Sequence, residues 1–151
     1  MRAARKTAYV FGFIVFISFA LRSHAAPLPQ GDAAKVKIAR GEYLSNHTSM
    51  CDDCHTLHDD HGAPVKSKHL HGAQITFKSI NPLPSSVWAD AAPPLAGLTF
   101  LSDQEAVVFF TTGKMPDGKL ARAPMPGYRF SKSDAEALTA YLKSLPPTPS
   151  K

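Results

Sequence analysis

Cys51, Cys54 and His55 stand in the run Cys51-Asp52-Asp53-Cys54-His55, which holds both cysteines of the 151-residue chain. Two thiols and an imidazole so close together serve one of four chemistries: a zinc site, a redox dithiol, a local disulfide, or covalent attachment of a haem. Zinc would draw on His58 and His61 as well, but structural zinc sites usually separate their ligand pairs by a longer connector. A thioredoxin-like dithiol follows a strand within a parallel sheet, whereas the residues before Cys51 read as helix. A disulfide across two intervening residues closes a very short loop and adds little stability. None of these three gives His55 a role. Haem attachment uses all three side chains. Thiols at i and i+3 of a helical turn point the same way and can each add to a porphyrin vinyl group, while the imidazole at i+4 lies on that face and rises to the iron. The reading is one haem c, bound through Cys51 and Cys54 with His55 as an iron ligand.

A sixth ligand must come from elsewhere. Met50 adjoins Cys51 and belongs to the same side of the ring, leaving Met115 and Met125, each followed by proline. Met125 lies in Pro124-Met125-Pro126, where two fixed φ angles stiffen an extended segment and present the side chain without competing backbone donors. Met115 follows a helix end and runs into the Asp117-Gly118 turn, a position suited to packing. Met125 is therefore the expected partner of His55. His58, His61, His69 and His71 fall within fourteen residues, with His47 nearby; such a group can bind copper or zinc through neutral imidazoles, and scattered surface histidines are the simpler reading.

The elements that must position these residues are helical. A first helix is expected from Ala33 to about Asn46, with Asp32 as N-cap and Val36, Ala39, Tyr43 and Leu44 at helical spacing. A second runs from Asp103 to Thr112, between a Ser102/Glu105 capping box and Gly113 at the stop position. A third starts after Ser131, carries Ala135, Leu138, Tyr141, Leu142 and Leu145, and ends before Pro146 and Pro147. Between the first two, Thr56 to Gly97 holds no sustained period and no convincing strand, and its pattern assigns it no place in the core; Trp88, Phe77 or Ile80 could wrap a haem edge, with ordinary loop packing as the simpler reading. An all-α domain with so much loop has a small core, and a thioether-anchored apolar disc supplies what the chain lacks.

Compartment and charge narrow the class further. Basic residues Arg2, Arg5 and Lys6, the apolar segment Ala8 to Leu21 and the small residues Ser23 to Ala26 have the three-part layout of a secretory signal peptide. The segment spans 14 residues, short of the ~20 needed to span a membrane. Cleavage after Ala25 fits best, and a retained anchor is the alternative. All 12 acidic residues but only 13 of the 17 basic ones lie beyond Ala25, so the net charge of +5 shrinks to +1 in the mature chain. General nucleic-acid binding has no support. Lys114, Lys119, Arg122, Arg129 and Lys132 face only Asp117 in one stretch, while Asp52, Asp53, Asp59 and Asp60 crowd the cysteines; these are two solvated faces or a docking surface.

In order along the chain, "ARGEYLSNHTSMCDDCH", "PPLAGL", "APMPGYRF" and "DAEALTAYLKSL" resemble the class I cytochromes c, specifically the bacterial single-haem domains found alone or beside periplasmic dehydrogenases. The resemblance implies three main helices around one covalent haem, with His55 and Met125 as the two axial ligands. It further implies that the carbonyl of Pro93 accepts a hydrogen bond from the His55 ring, and that the first and last helices cross at Gly41 and Tyr141. The family's compact members reach that proline in far fewer than the 38 residues separating His55 from Pro93 here, which marks a long insertion before the second helix. The expected organisation is signal peptide 1–25, tail 26–32, cytochrome c domain 33–145 and Pro-rich tail 146–151. The expected function is a periplasmic one-electron carrier, not an enzyme. Its donor would be a periplasmic or membrane dehydrogenase and its acceptor an oxidase or another cytochrome, with the membrane met only transiently or through a partner. The alternatives are the cytochrome subunit of a larger dehydrogenase or a haem-based gas or redox sensor.

Overall fold

The computed structural model describes residues 30–149, so the expected signal peptide lies outside the described residues. Four helices carry the fold: α1 (Gln30–Tyr43), α2 (Cys51–His55), α3 (Asp103–Thr112) and α4 (Lys132–Ser144). No helix among the described residues is long and apolar enough to cross a membrane.

Local signals account for α3 and α4. Ser102 Oγ accepts from the Glu105 amide while the Glu105 carboxylate accepts from the Ser102 amide, closing the capping box of α3. Gly113, at φ 72°, ends the helix with its amide on the Phe109 carbonyl. Ser131 caps α4 by accepting from the Asp134 amide, and Leu145 with the prolines beyond it stops the helix.

α1 departs from expectation at both ends and on its face. Its described part starts at Gln30, so Asp32 lies within the helix, where its charge complements the helix dipole, and is not the N-cap. At the other end the chain widens into a π-helical turn, Leu44–Thr48, closed by the Ser49 amide on the Leu44 carbonyl. Met50 then takes a left-handed conformation, φ 49°, and restarts the chain as α2. Val36 and Tyr43 are 59% and 53% exposed, and Ala39 is exposed too. The buried face instead carries Ile38, Gly41, Leu44 and Ser45. Gly41 explains the rotation. A Cβ there would stand 2.6 Å from Tyr141 Cβ and closer still to the Ala137 carbonyl. The two helices approach backbone to backbone at a residue that carries no apolar signal of its own.

α3 and α4 close the core around Ala106, Phe110, Ala135, Leu138 and Leu142. The Gly97 amide on the Leu142 carbonyl, and Lys143 Nζ on the Leu101 carbonyl, hold the segment before α3 against the end of α4. The insertion adds to this helical frame a two-residue antiparallel ladder of β1 (Ala73–Gln74) and β2 (Ala91–Ala92), registered Ala73 to Ala92 and Gln74 to Ala91. It also corrects the expectation that this stretch lies outside the core. Leu70 is 0% exposed and belongs to the main apolar cluster. A lone leucine has no periodicity, so no pattern could mark it.

Gly41→Ala should lower stability by on the order of 3 kcal/mol, since the added methyl meets backbone that cannot yield. Val36→Ala, on the face first expected to be buried, should change it by less than about 0.5 kcal/mol. Denaturant midpoints of the two variants measure the contrast.

Candidate cofactor site

α2 places Cys51, Cys54 and His55 along one side of a single helical turn, and all three line a cavity of about 1120 Å³. The volume is at or above the upper end of the roughly 300–1,000 Å³ typical of small-molecule sites. Leu95, Leu98, Leu101, Phe109 and Phe110 supply apolar walls, and Ile75 and Phe77 of the insertion add another. Both cysteines are free thiols. Burial pushes both thiols up, more than it is offset at Cys51 by the Ser45 hydroxyl, and at Cys54 the Asp53 charge adds to it.

His55 is 5% exposed. Its Nδ1 lies 2.7 Å from the Pro93 carbonyl oxygen, which can only accept, so Nδ1 carries the proton and Nε2 keeps its lone pair. Burial lowers the ring's pKa below the ordinary histidine value against the smaller raising effect of the Pro93 bond. A neutral, oriented imidazole is the form that binds a metal.

The insertion holds this arrangement in place. The Gly72 amide donates to the His55 carbonyl at 2.8 Å, and Gly72 packs against Pro93 so closely that a Cβ would meet the Ala92 oxygen and the Pro94 nitrogen at 3.0 Å. The buried Leu70, at φ 56°, accepts both the Leu95 and Ala96 amides on its carbonyl and donates its own amide to Thr56 Oγ1 at 2.7 Å. Thr56 in turn donates to the Asp52 carboxylate. That carboxylate also accepts from His69 Nδ1 at 2.9 Å, while His69 Nε2 pairs with the Tyr141 hydroxyl at 3.0 Å. His69 is thus committed to a link between α2 and α4. Among the described residues no group of three His, Cys, Asp or Glu side chains is arranged to hold a metal ion, so Cys51, Cys54, His58 and His61 do not form a joint site.

Met115 and Met125 also line the cavity. Met115 packs against the core, and its backbone closes the Lys119 turn through bonds of 2.8 Å. Met125 follows Pro124 in the segment that returns to α4. Tyr128 fastens this segment by donating its hydroxyl to the Ser49 carbonyl and stacking on Phe130, 5.2 Å between ring centres. Burial, with the nearby thiols adding to it, pushes the Tyr128 hydroxyl up to about 12, so it remains a donor throughout the neutral range. The sequence reading missed Tyr128, Leu70, Gly72 and the Asp52–His69–Tyr141 link. Only Gly72 left a trace, as a glycine within an otherwise unpatterned stretch.

The residues present fit a haem: two unpaired thiols, one neutral imidazole nitrogen and apolar walls converge on one large cavity. No protein-family model matches this chain. The chain is similar to the fructose dehydrogenase cytochrome subunit of Gluconobacter japonicus, 28% identical over 113 residues, which covers 71% of this chain and 22% of that protein. It is also similar to the cytochrome c subunit of alcohol dehydrogenase (quinone) of Gluconobacter oxydans (strain 621H), 29% identical over 123 residues, covering 75% and 25%. The likeness is to cytochrome subunits of dehydrogenases. The chain spans about a quarter of the length of these relatives.

Gly72→Ala should destabilise the protein by roughly 2 kcal/mol through its left-handed φ of 84° alone. Thr56→Val, nearly isosteric, should cost about 1–3 kcal/mol by leaving the buried Leu70 amide unpaired. Faster hydrogen exchange of that amide in Thr56→Val, with a lowered melting temperature in both variants, checks the role assigned to the insertion.

Proposed function

We propose that this chain is a c-type cytochrome that accepts electrons singly from a dehydrogenase and works as that enzyme's cytochrome subunit. The observation that carries the reading is the convergence of Cys51, Cys54 and His55 on one apolar cavity that Met115 and Met125 also line. The dehydrogenase partner is supported by the names of the similar proteins.

In this reading Cys51 and Cys54 hold one haem covalently, and His55 Nε2 and the Met125 sulfur are its two ligands. When bound, the haem supplies a one-electron iron couple, whose potential thioether and imidazole ligation favours on the high side. The chain's own residues do the rest. Pro93 fixes the imidazole's tautomer and plane and strengthens it as a donor. Leu95, Leu98 and Phe110 exclude water, which keeps the local dielectric low and the reorganisation around a change of charge small. Tyr128 ties the Met125 segment to Ser49, beside the first cysteine. The prolines around Met125 and the use of Met115 in core packing favour Met125 as the distal ligand. Residues 1–25 are read as a signal peptide that delivers the chain to the periplasm, where haem attachment takes place.

Three outcomes test the proposal. Replacing Cys51 and Cys54 by serine should abolish covalently retained haem on a denaturing gel stained for peroxidase activity; recovery of a stable haem-free protein holding zinc would overturn the reading. Met125→Ala should lower the reduction potential and eliminate the weak far-red sulfur-to-ferric absorption, whereas Met115→Ala should leave both near wild type. Co-purification with a dehydrogenase after gentle solubilisation separates the subunit from a free carrier, which would run alone.

A further inference from the structure

The outer arm of the insertion, residues 75–90, is not explained by the proximal bracing. It starts where the Ile75 amide meets the Asp90 carbonyl and swings out to Ile80, which is 100% exposed, with Leu83 and Val87 nearly half exposed. An arm that buries so little apolar surface is held in place by its polar contacts. Those contacts converge on the two residues before Pro124. Arg122 Nη1 donates to the Ser85 carbonyl at 2.8 Å, and the Ala89 amide donates to the Ala123 carbonyl at 2.7 Å, with Trp88 bridged to Ala123 in parallel. Arg122 also closes the turn that contains Met125, because its carbonyl accepts the Met125 amide at 3.2 Å.

The arm is built to be stiff. Pro82 and Pro84 fix two φ angles; the Pro84 carbonyl accepts the Val87 and Trp88 amides at 2.8 and 3.0 Å. The Trp88 ring meets Phe77 edge-on, 6.1 Å between centres, and Phe77 lines the cavity. A rigid turn anchored to Arg122 and Ala123 therefore sets where the next residues go.

From this geometry we infer that the 84–89 turn is a positioning element for the Met125 side chain: it holds the 122–125 turn against the cavity so that the sulfur stays presented to the haem and competing ligands stay out. The inference rests on Met125 being the distal ligand. Arg122, Trp88 and Ala89 are positioning residues that act through the Ala123-Pro124 segment. The role also explains why the insertion returns to β2 only after passing the distal segment. One insertion braces the His55 side through residues 69–74 and the Met125 side through residues 84–89.

The test uses the haem-loaded, full-length protein. Arg122 is exposed, so Arg122→Ala keeps the fold while deleting the bond to Ser85; Ala89→Pro deletes the donor to Ala123. Each variant should bind cyanide in the ferric state ~3- to 10-fold more tightly, the equivalent of one lost hydrogen bond in the ligated state. Each should also lose the far-red sulfur absorption at lower pH than wild type. Amide hydrogen exchange at Ala89 and Met125, read independently of the iron, should accelerate by a similar factor in Arg122→Ala, and Arg122→Lys, which retains a donor, should restore most of the protection. Wild-type cyanide affinity and wild-type Met125 exchange in a normally melting Arg122→Ala would overturn the inference. Met125→Ala separates the two levels. If it abolishes the far-red absorption while Arg122→Ala changes nothing, the ligand assignment stands and the positioning role falls; if the absorption survives in Met125→Ala, both fall.

Discussion

The hydrogen bond from His55 Nδ1 to the Pro93 carbonyl is the contact on which the rest of this structure depends. By occupying one ring nitrogen it decides that the other is bare, and by fixing the ring plane it decides where that nitrogen points. A single bond can do this only if its acceptor cannot move. Gly72, pressed against Pro93, and the Leu70 carbonyl, which receives the next two free amides, provide that immobility. The carbonyl is thus held by a part of the chain that looks dispensable.

The helical frame joins the same network. α1 and α4 cross at Gly41, which brings Tyr141 to the contact; the Tyr141 hydroxyl meets His69, His69 meets Asp52, and Asp52 receives Thr56. A continuous run of polar contacts therefore leads from the helix crossing to the cysteine motif. For four groups of the cavity wall burial favours the neutral form, lowering the His55 ring and raising both thiols and the Tyr128 hydroxyl. The ionisable side chains of Asp53, Asp117, Lys119 and Arg122 line the same cavity.

α3 was legible in the sequence to the residue, and α4 but for Leu145, which lies in extended backbone just past its end, because their signals are local: a serine hydroxyl reaching an amide three residues on, a glycine that alone tolerates the left-handed stop. The side-by-side placement of Cys51, Cys54 and His55 was legible for the same reason, being one turn of helix. The buried face of α1 was legible only in part: Leu44 is buried as its spacing predicted, and Gly41 meets Tyr141 as the family resemblance implied, but the apolar spacing alone pointed elsewhere. Its contact residue is a glycine, which scores as neither apolar nor polar, and the apolar residues Val36 and Tyr43 that dominate the pattern turn outward. The insertion was not legible either, because a chain stapled by backbone bonds and one buried leucine leaves no period to read.

The sequence by itself determined the chemistry on offer, two thiols and an imidazole on one turn, and the helices whose caps lie within a few residues of their ends. The tertiary structure decided what those groups face: that Pro93, 38 positions along the chain, accepts the ring proton, that Met115 and Met125 both reach the cavity while only Met115 packs into the core cluster, and that the insertion bonds both to the His55 segment and to the Met125 segment. The division follows range. Capping and helical spacing are set by torsions and bonds between near neighbours, whereas the acceptor of a buried donor is whichever distant segment the packing of the whole chain brings within 3 Å.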